Sequence, residues 1–123
     1  MPMTRVHERL APIIAAGEAA SCALVDLEVL FSARNAREYE RIRSRRELSY
    51  LHVPNSDAIL NRAIEVQGKL AKRGQHRIPI PDLIIAAAAE SAGLTVLHYD
   101  ADFDLIAAVT SQPVEWLVPR GTV

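Results

Sequence analysis

The sequence predicts an α/β fold of three layers, α/β/α, with a mostly parallel sheet between helices. Three observations predict it. Short apolar runs alternate with longer segments of helical periodicity along the whole chain, the pattern of strands joined by crossover helices. The 123 residues suffice for a single core but not for two, so residues 1–123 are expected to form one domain. A hydrophobic content of 50% with 24% charged residues is the balance of a globular protein and excludes a disordered chain.

The elements follow in order. Thr4 to Ala16 places Val6, Leu10, Ile13 and Ile14 on one helical face, with Gly17 as a stop. Ser21 to Leu24 is a short apolar run that reads as a buried strand, leading into a helix from about Asp26 to Ala33 that Asp26 can cap. Asn35 is a candidate N-cap for a helix to about Glu47, whose arginines and glutamates surround a thin stripe of Tyr39 and Ile42, so that it must be mostly exposed. Tyr50 to Val53 resembles a strand ended by Pro54. Ser56 then caps a long helix through Ile59, Leu60, Ile64 and Leu70 to Gly74. After the loop from Gln75 to Pro81, Asp82 to Ala92 is apolar almost all round, which predicts a buried helix. Thr95 to Leu97 fits an interior strand, Asp100 begins another helix, and Val114 to Leu117 forms a last strand.

The longest apolar stretches, such as Ile84 to Ala89, fall far short of the roughly 20 residues that span a bilayer, so no membrane segment is expected. The first ten residues mix charges with apolar positions and lack a signal-peptide core, which predicts a cytoplasmic protein. Cys22 has no partner for a disulfide and reads as a core residue. A net charge of −1 means that nucleic-acid contacts must come from local clusters of basic residues.

In an open parallel sheet, ligands bind outside the carboxyl ends of the strands, and here the strand-to-helix junctions deliver acids. Glu28 lies in the first turn after the strand ending at Leu24, Asp82 starts a helix, and Asp100 and Asp102 follow the strand ending at Leu97. Gathered carboxylates repel one another, so such a group is maintained by a cation or a functional demand. Mg²⁺ and Mn²⁺ prefer oxygen ligands and keep several waters, which suits phosphodiester hydrolysis by a metal-activated water. Each acid also has a plainer explanation. A carboxylate at a helix start such as Asp82 gains about 0.3 to 1 kcal/mol from the free N–H groups there. Glu28 is harder to explain this way, because its neighbours Leu27, Val29, Leu30 and Phe31 predict a mostly buried helix, where an unpaired carboxylate is costly. Asp104 is the member of the last group assigned to a cap or a solvated charge. His98 is a candidate ligand or base, but no paired Cys or His stands at metal spacing, and a packed strand-end histidine is the favoured reading.

Three segments, Asp26 to Arg34, Ile78 to Ala86 and Leu97 to Ile106, together make the chain resemble a PIN-domain ribonuclease of the VapC toxin type, from toxin-antitoxin operons. The resemblance covers nearly the whole chain. It implies that Glu28, Asp82, Asp100 and Asp102 form the catalytic acids, that Asp82, Asp100 and Glu28 hold Mg²⁺ or Mn²⁺, and that Phe103 follows the acidic pair as in the family. It further implies an endoribonuclease that blocks translation, a cognate antitoxin that inhibits it, and a homodimer. One departure stands out. Family members begin with a hydrophobic strand ending in an aspartate that is a principal metal ligand, whereas this sequence begins at what reads as the following helix. The resemblance thus implies a sheet lacking its first strand and a site lacking one corner, whether from a truncated start, an incomplete N terminus or a natural variant of little activity.

Lys69, Lys72, Arg73, His76 and Arg77 crowd the approach to Asp82, and of these Lys72, Arg73 and Arg77 are the candidate RNA contacts, against the alternative of a solvated helix end. The arginines between Arg34 and Arg46 are interleaved with Glu38, Glu40 and Glu47, so surface ion pairs explain them by default. The resemblance adds an antitoxin or dimer face there. Two other classes compete with the nuclease. A catalytically silent PIN-like module binding RNA or protein would tolerate the absent aspartate. A phosphoacceptor receiver domain also gathers acids at strand ends, but it needs a late strand-end lysine and none lies beyond Lys72.

Overall fold

Capping and periodicity set most of the element boundaries in the computed structural model, which describes residues 2–121. Among these residues six helices and four short strands alternate, and the chain divides into two units, Met1–Pro54 and Asn55–Val123.

The first unit opens with α1 (Pro2–Ala15), whose predicted face of Val6, Leu10, Ile13 and Ile14 is half-buried while most of its other described side chains are exposed. Gly17 ends it at φ 71°, where its own N–H reaches Ile14 O and the Glu18 N–H reaches Ile13 O. Strand β1 (Ala20–Cys22) pairs in parallel with β2 (Leu51–Val53), in the register Ala20 to Leu51 and Cys22 to Val53. Cys22 is buried, as its setting predicts. Helix α2 (Ala23–Phe31) follows β1 without a loop, and Cys22 is its N-cap, with no side-chain cap bond.

Two expectations change here. Asp26 does not cap α2. It lies inside the first turn, and its Oδ1 accepts from Ser21 Oγ (3.0 Å) and from Arg46 Nε (2.8 Å). Nor is α2 mostly buried. Only Leu30 is, whereas Leu27 and Glu28 are exposed and Phe31 is 91% exposed. Helix α3 (Ala36–Ser49) behaves as predicted: the Asn35 side chain accepts from the Glu38 N–H, and no residue of the helix is buried. Its charges pair locally, Arg34 with Glu38 at 2.8 Å and Arg43 with Glu47 at 3.5 Å, and Arg46 lies over the Tyr50 ring.

In the second unit, Ser56 caps α4 (Asp57–Ala71) by accepting from the Ile59 N–H, and Ile59, Ala63, Val66 and Leu70 form its buried stripe. Helix α5 (Ile80–Ser91) begins two residues before the predicted start, because Pro79 serves as N-cap and Pro81 fits the first turn, where no N–H is needed. Leu83 and Ala86 to Ala88 are buried. Small alanines allow α5 to pack closely, and Arg62 of α4 ties to Glu90 of α5 at 2.7 Å. Strand β3 (Val96–His98) pairs in parallel with β4 (Val114–Trp116) across helix α6 (Asp102–Thr110), which buries Phe103 and Ile106. After α6, Ser111 takes the left-handed conformation at φ 62°, and the buried Gln112 donates from Nε2 to Ala86 O.

All pairings among the described residues are parallel, as predicted, but they form two separate two-stranded pairs rather than one sheet. The chain passes from β1 to β2 through α2 and α3, and from β3 to β4 through α6 alone. Among the described residues no strand precedes β1, so none corresponds to the first strand that the family resemblance places at the centre of the sheet. No helix of the described residues is long and apolar enough to cross a membrane.

Candidate metal centre

The second unit brings three of the four predicted acids together. Asp82 stands in the first turn of α5, half-buried, where the free N–H groups and the helix dipole favour its charge. Asp100 follows β3, and Asp102 opens α6. One carboxylate oxygen from each of Asp82, Asp100 and Asp102 lies within 4.8 Å of the others.

The turn between β3 and α6 sets two of these positions. The Asp100 carboxylate accepts the Asp102 N–H at 2.9 Å, and the Asp100 N–H in turn donates to His98 Nδ1 at 3.2 Å. Burial, and then the adjacent Asp100 carboxylate, raises the Asp102 carboxyl above its ordinary range. The group is thus electrostatically unfavourable by itself. A cation bound among the three carboxylates would relieve the repulsion. The donor set is all carboxylate oxygen, which fits a hard divalent ion such as Mg²⁺ or Mn²⁺ rather than a thiolate- or imidazole-loving metal.

Glu28 belongs to the first unit and is exposed in the second turn of α2, not the first, because the helix begins at Ala23. Lys72, Arg73 and Arg77 are exposed between the end of α4 and the start of α5, in the segment leading to Asp82. Asp104 stays outside the acidic group. It is exposed, as expected of a solvated charge, and its Oδ2 accepts from Trp116 Nε1 at 3.2 Å, which ties α6 to β4.

His98 is the packed strand-end residue that its position favours. It is buried between Phe103 and Trp116, with ring centroids 5.1 and 4.9 Å away. Burial lowers its pKa, against the opposing pull of the Asp104 and Asp100 carboxylates. The sequence places Trp116 in the last strand but gives no sign of its contact with His98. That contact follows from the parallel register, which sets Trp116 opposite His98 at the strand ends that lead to the acids.

The model of the PIN domain matches residues 4–109. Ribonuclease VapC51 of Mycobacterium tuberculosis is 50% identical over 119 residues, which cover 96% of this chain and 85% of the relative. Ribonuclease VapC21 of the same organism is 45% identical over 118 residues, 95% of this chain and 86% of the relative. Ribonuclease VapC18, also from that organism, is 42% identical over 122 residues, 96% and 88% of the two chains. The chain belongs to the PIN-domain family, among its VapC-type members.

Proposed function

We propose that the protein is a metal-dependent endoribonuclease, the toxin of a toxin-antitoxin pair. The observation that carries this reading is the convergence of Asp82, Asp100 and Asp102 in a chain half identical to a named ribonuclease. Asp82 and Asp100 would hold Mg²⁺ or Mn²⁺, with Asp102 beside them; the family resemblance alone assigns Glu28 of α2 to the catalytic acids. The bound ion would polarise the phosphodiester and lower the pKa of an attacking water. The carboxylates orient that water and take up its proton. Lys72, Arg73 and Arg77 offset the acids' repulsion of RNA by engaging phosphates on the approach to α5.

The cognate antitoxin and a second copy of the chain are the expected protein partners. The exposed Leu27, Phe31, Leu48 and Leu51 of the first unit support a partner surface there, since several large apolar side chains left in water mark interaction sites. Residues 1–123 are read as one domain because the family match runs through both units. We assign the protein to the cytoplasm.

The test is incubation of purified chain with total cellular RNA in Mg²⁺ or Mn²⁺, with EDTA as control. Discrete fragments formed with metal and absent with EDTA support the nuclease. Intact RNA with soluble, folded protein and either metal overturns it in favour of a silent PIN-like binding module.

A further inference from the structure

The His98 ring has one hydrogen-bonding task. Its side chain is 1% exposed, and Nδ1 accepts the Asp100 N–H, so that nitrogen carries no proton and the neutral ring holds its proton on Nε2. Nε2 makes no hydrogen bond, and Asp104 Oδ1 is 3.7 Å away, beyond hydrogen-bond reach. Phe103 and Trp116 clamp the ring from two directions, so it cannot swing away from Asp100. Packing alone does not call for an imidazole here. A leucine would fill similar space without burying a polar nitrogen, which is costly when that nitrogen has no partner. What the imidazole adds is an acceptor held still at Nδ1.

Two hydrogen bonds in series connect that acceptor to the acids. Nδ1 holds the Asp100 peptide, and Asp100 Oδ1 holds the Asp102 N–H. We propose that His98 is a positioning residue of the acidic site, its neutral ring fixing the turn that aims the Asp100 and Asp102 carboxylates at a common divalent ion. The inference rests on the reading of these aspartates as cation ligands. His98 itself is neither a ligand nor a base in it, because its acceptor nitrogen is already used and its other nitrogen faces the protein interior.

Three substitutions separate positioning from packing. His98→Asn places an amide oxygen near the Nδ1 position, His98→Gln reaches instead toward Nε2, and His98→Leu fills space without an acceptor. The probe is Mn²⁺ titrated calorimetrically into each protein, beside ¹H–¹⁵N spectra of the metal-free chains. His98→Asn is expected to bind within about threefold of wild type. His98→Gln and His98→Leu are expected to lose about tenfold or more, the usual result of removing an orienting partner, with the Asp100 amide moved upfield in these two alone. The wild-type ring nitrogens should show the proton on Nε2. Dispersed spectra exclude unfolding, and if His98→Leu does not fold, the contrast of Asn with Gln still decides. Wild-type affinity in His98→Leu, equal affinities for Asn and Gln, or a proton on Nδ1 overturns the inference while leaving the metal site intact. Absence of Mn²⁺ binding by the wild type overturns the metal reading and this inference with it.

Discussion

At Asp102 the cost of gathering carboxylates falls on a single group. Its carboxyl is held above the ordinary range by burial and by Asp100, so the ionised form opposes folding at neutral pH. Asp102→Asn removes that charge and keeps the shape. Melting in EDTA should therefore rise, by about 2 °C for every roughly 0.5 kcal/mol of repulsion relieved in a chain of this size. The same variant should lose most of the stabilisation that Mn²⁺ gives the wild type. Unchanged melting in EDTA together with an undiminished Mn²⁺ shift would remove Asp102 from the site. At this scale the sequence was informative where function depends on residue type at a junction. Asp82, Asp100 and Asp102 were legible because each stands at a strand end or helix start. His98 was legible as a packed strand-end residue, but its tie to Asp100 and its contact with Trp116 were not, because both arise from strand register and burial. Asp26 was misassigned because its partner, Arg46, is 20 residues away, while the capping rule considers only neighbours.

The elements themselves were readable where their determinants are local. Asn35 and Ser56 cap α3 and α4 as predicted, since each accepts a bond from an N–H three residues on. The single sheet was less readable. Alternating strands and helices specify parallel neighbours across one crossover, and β1–β2 and β3–β4 are both of that kind. Joining such pairs depends on residues distant in sequence, for which periodicity carries no signal. The link between α4 and α5 is equally long-range. Arg62 donates to both Glu90 oxygens, at 2.7 and 3.1 Å, and holds the Glu90 carboxyl below its ordinary value of 4.5. A carboxylate depressed in the folded state adds stability above its unfolded value and loses it as pH falls through the folded one. Glu90→Gln should thus cost about 1 kcal/mol at pH 7, a partly buried pair being worth a little more than an exposed one. In urea titrations that difference should shrink steadily below pH 4.5. A difference that stays constant from neutral pH into that acid range would assign the effect to shape rather than charge.

For the whole molecule, the net charge of −1 conceals the uneven distribution on which RNA binding would depend. Lys72, Arg73 and Arg77 are exposed in the segment before α5, so replacing all three with alanine should leave the melting temperature within a degree or two. RNA affinity should fall, and the slope of log K against log salt should become shallower by about 2, near 0.7 for each single-strand phosphate that is no longer neutralised. An unaltered slope would direct the search for the RNA path elsewhere. The identity of the family was legible from three ordered segments, and the matches across 4–109 and to the VapC ribonucleases bear it out. RNA choice was not, because it depends on surface shape.

The most direct test of the central claim is a Mn²⁺ titration of the wild type and of Asp82→Asn, followed by calorimetry or by loss of the free-ion paramagnetic signal. The account predicts a saturable site in the wild type that is weakened at least about tenfold in a folded Asp82→Asn protein, because one of its carboxylate ligands is gone. Equal binding by the two proteins, or none by either, would contradict a metal centre at Asp82, Asp100 and Asp102.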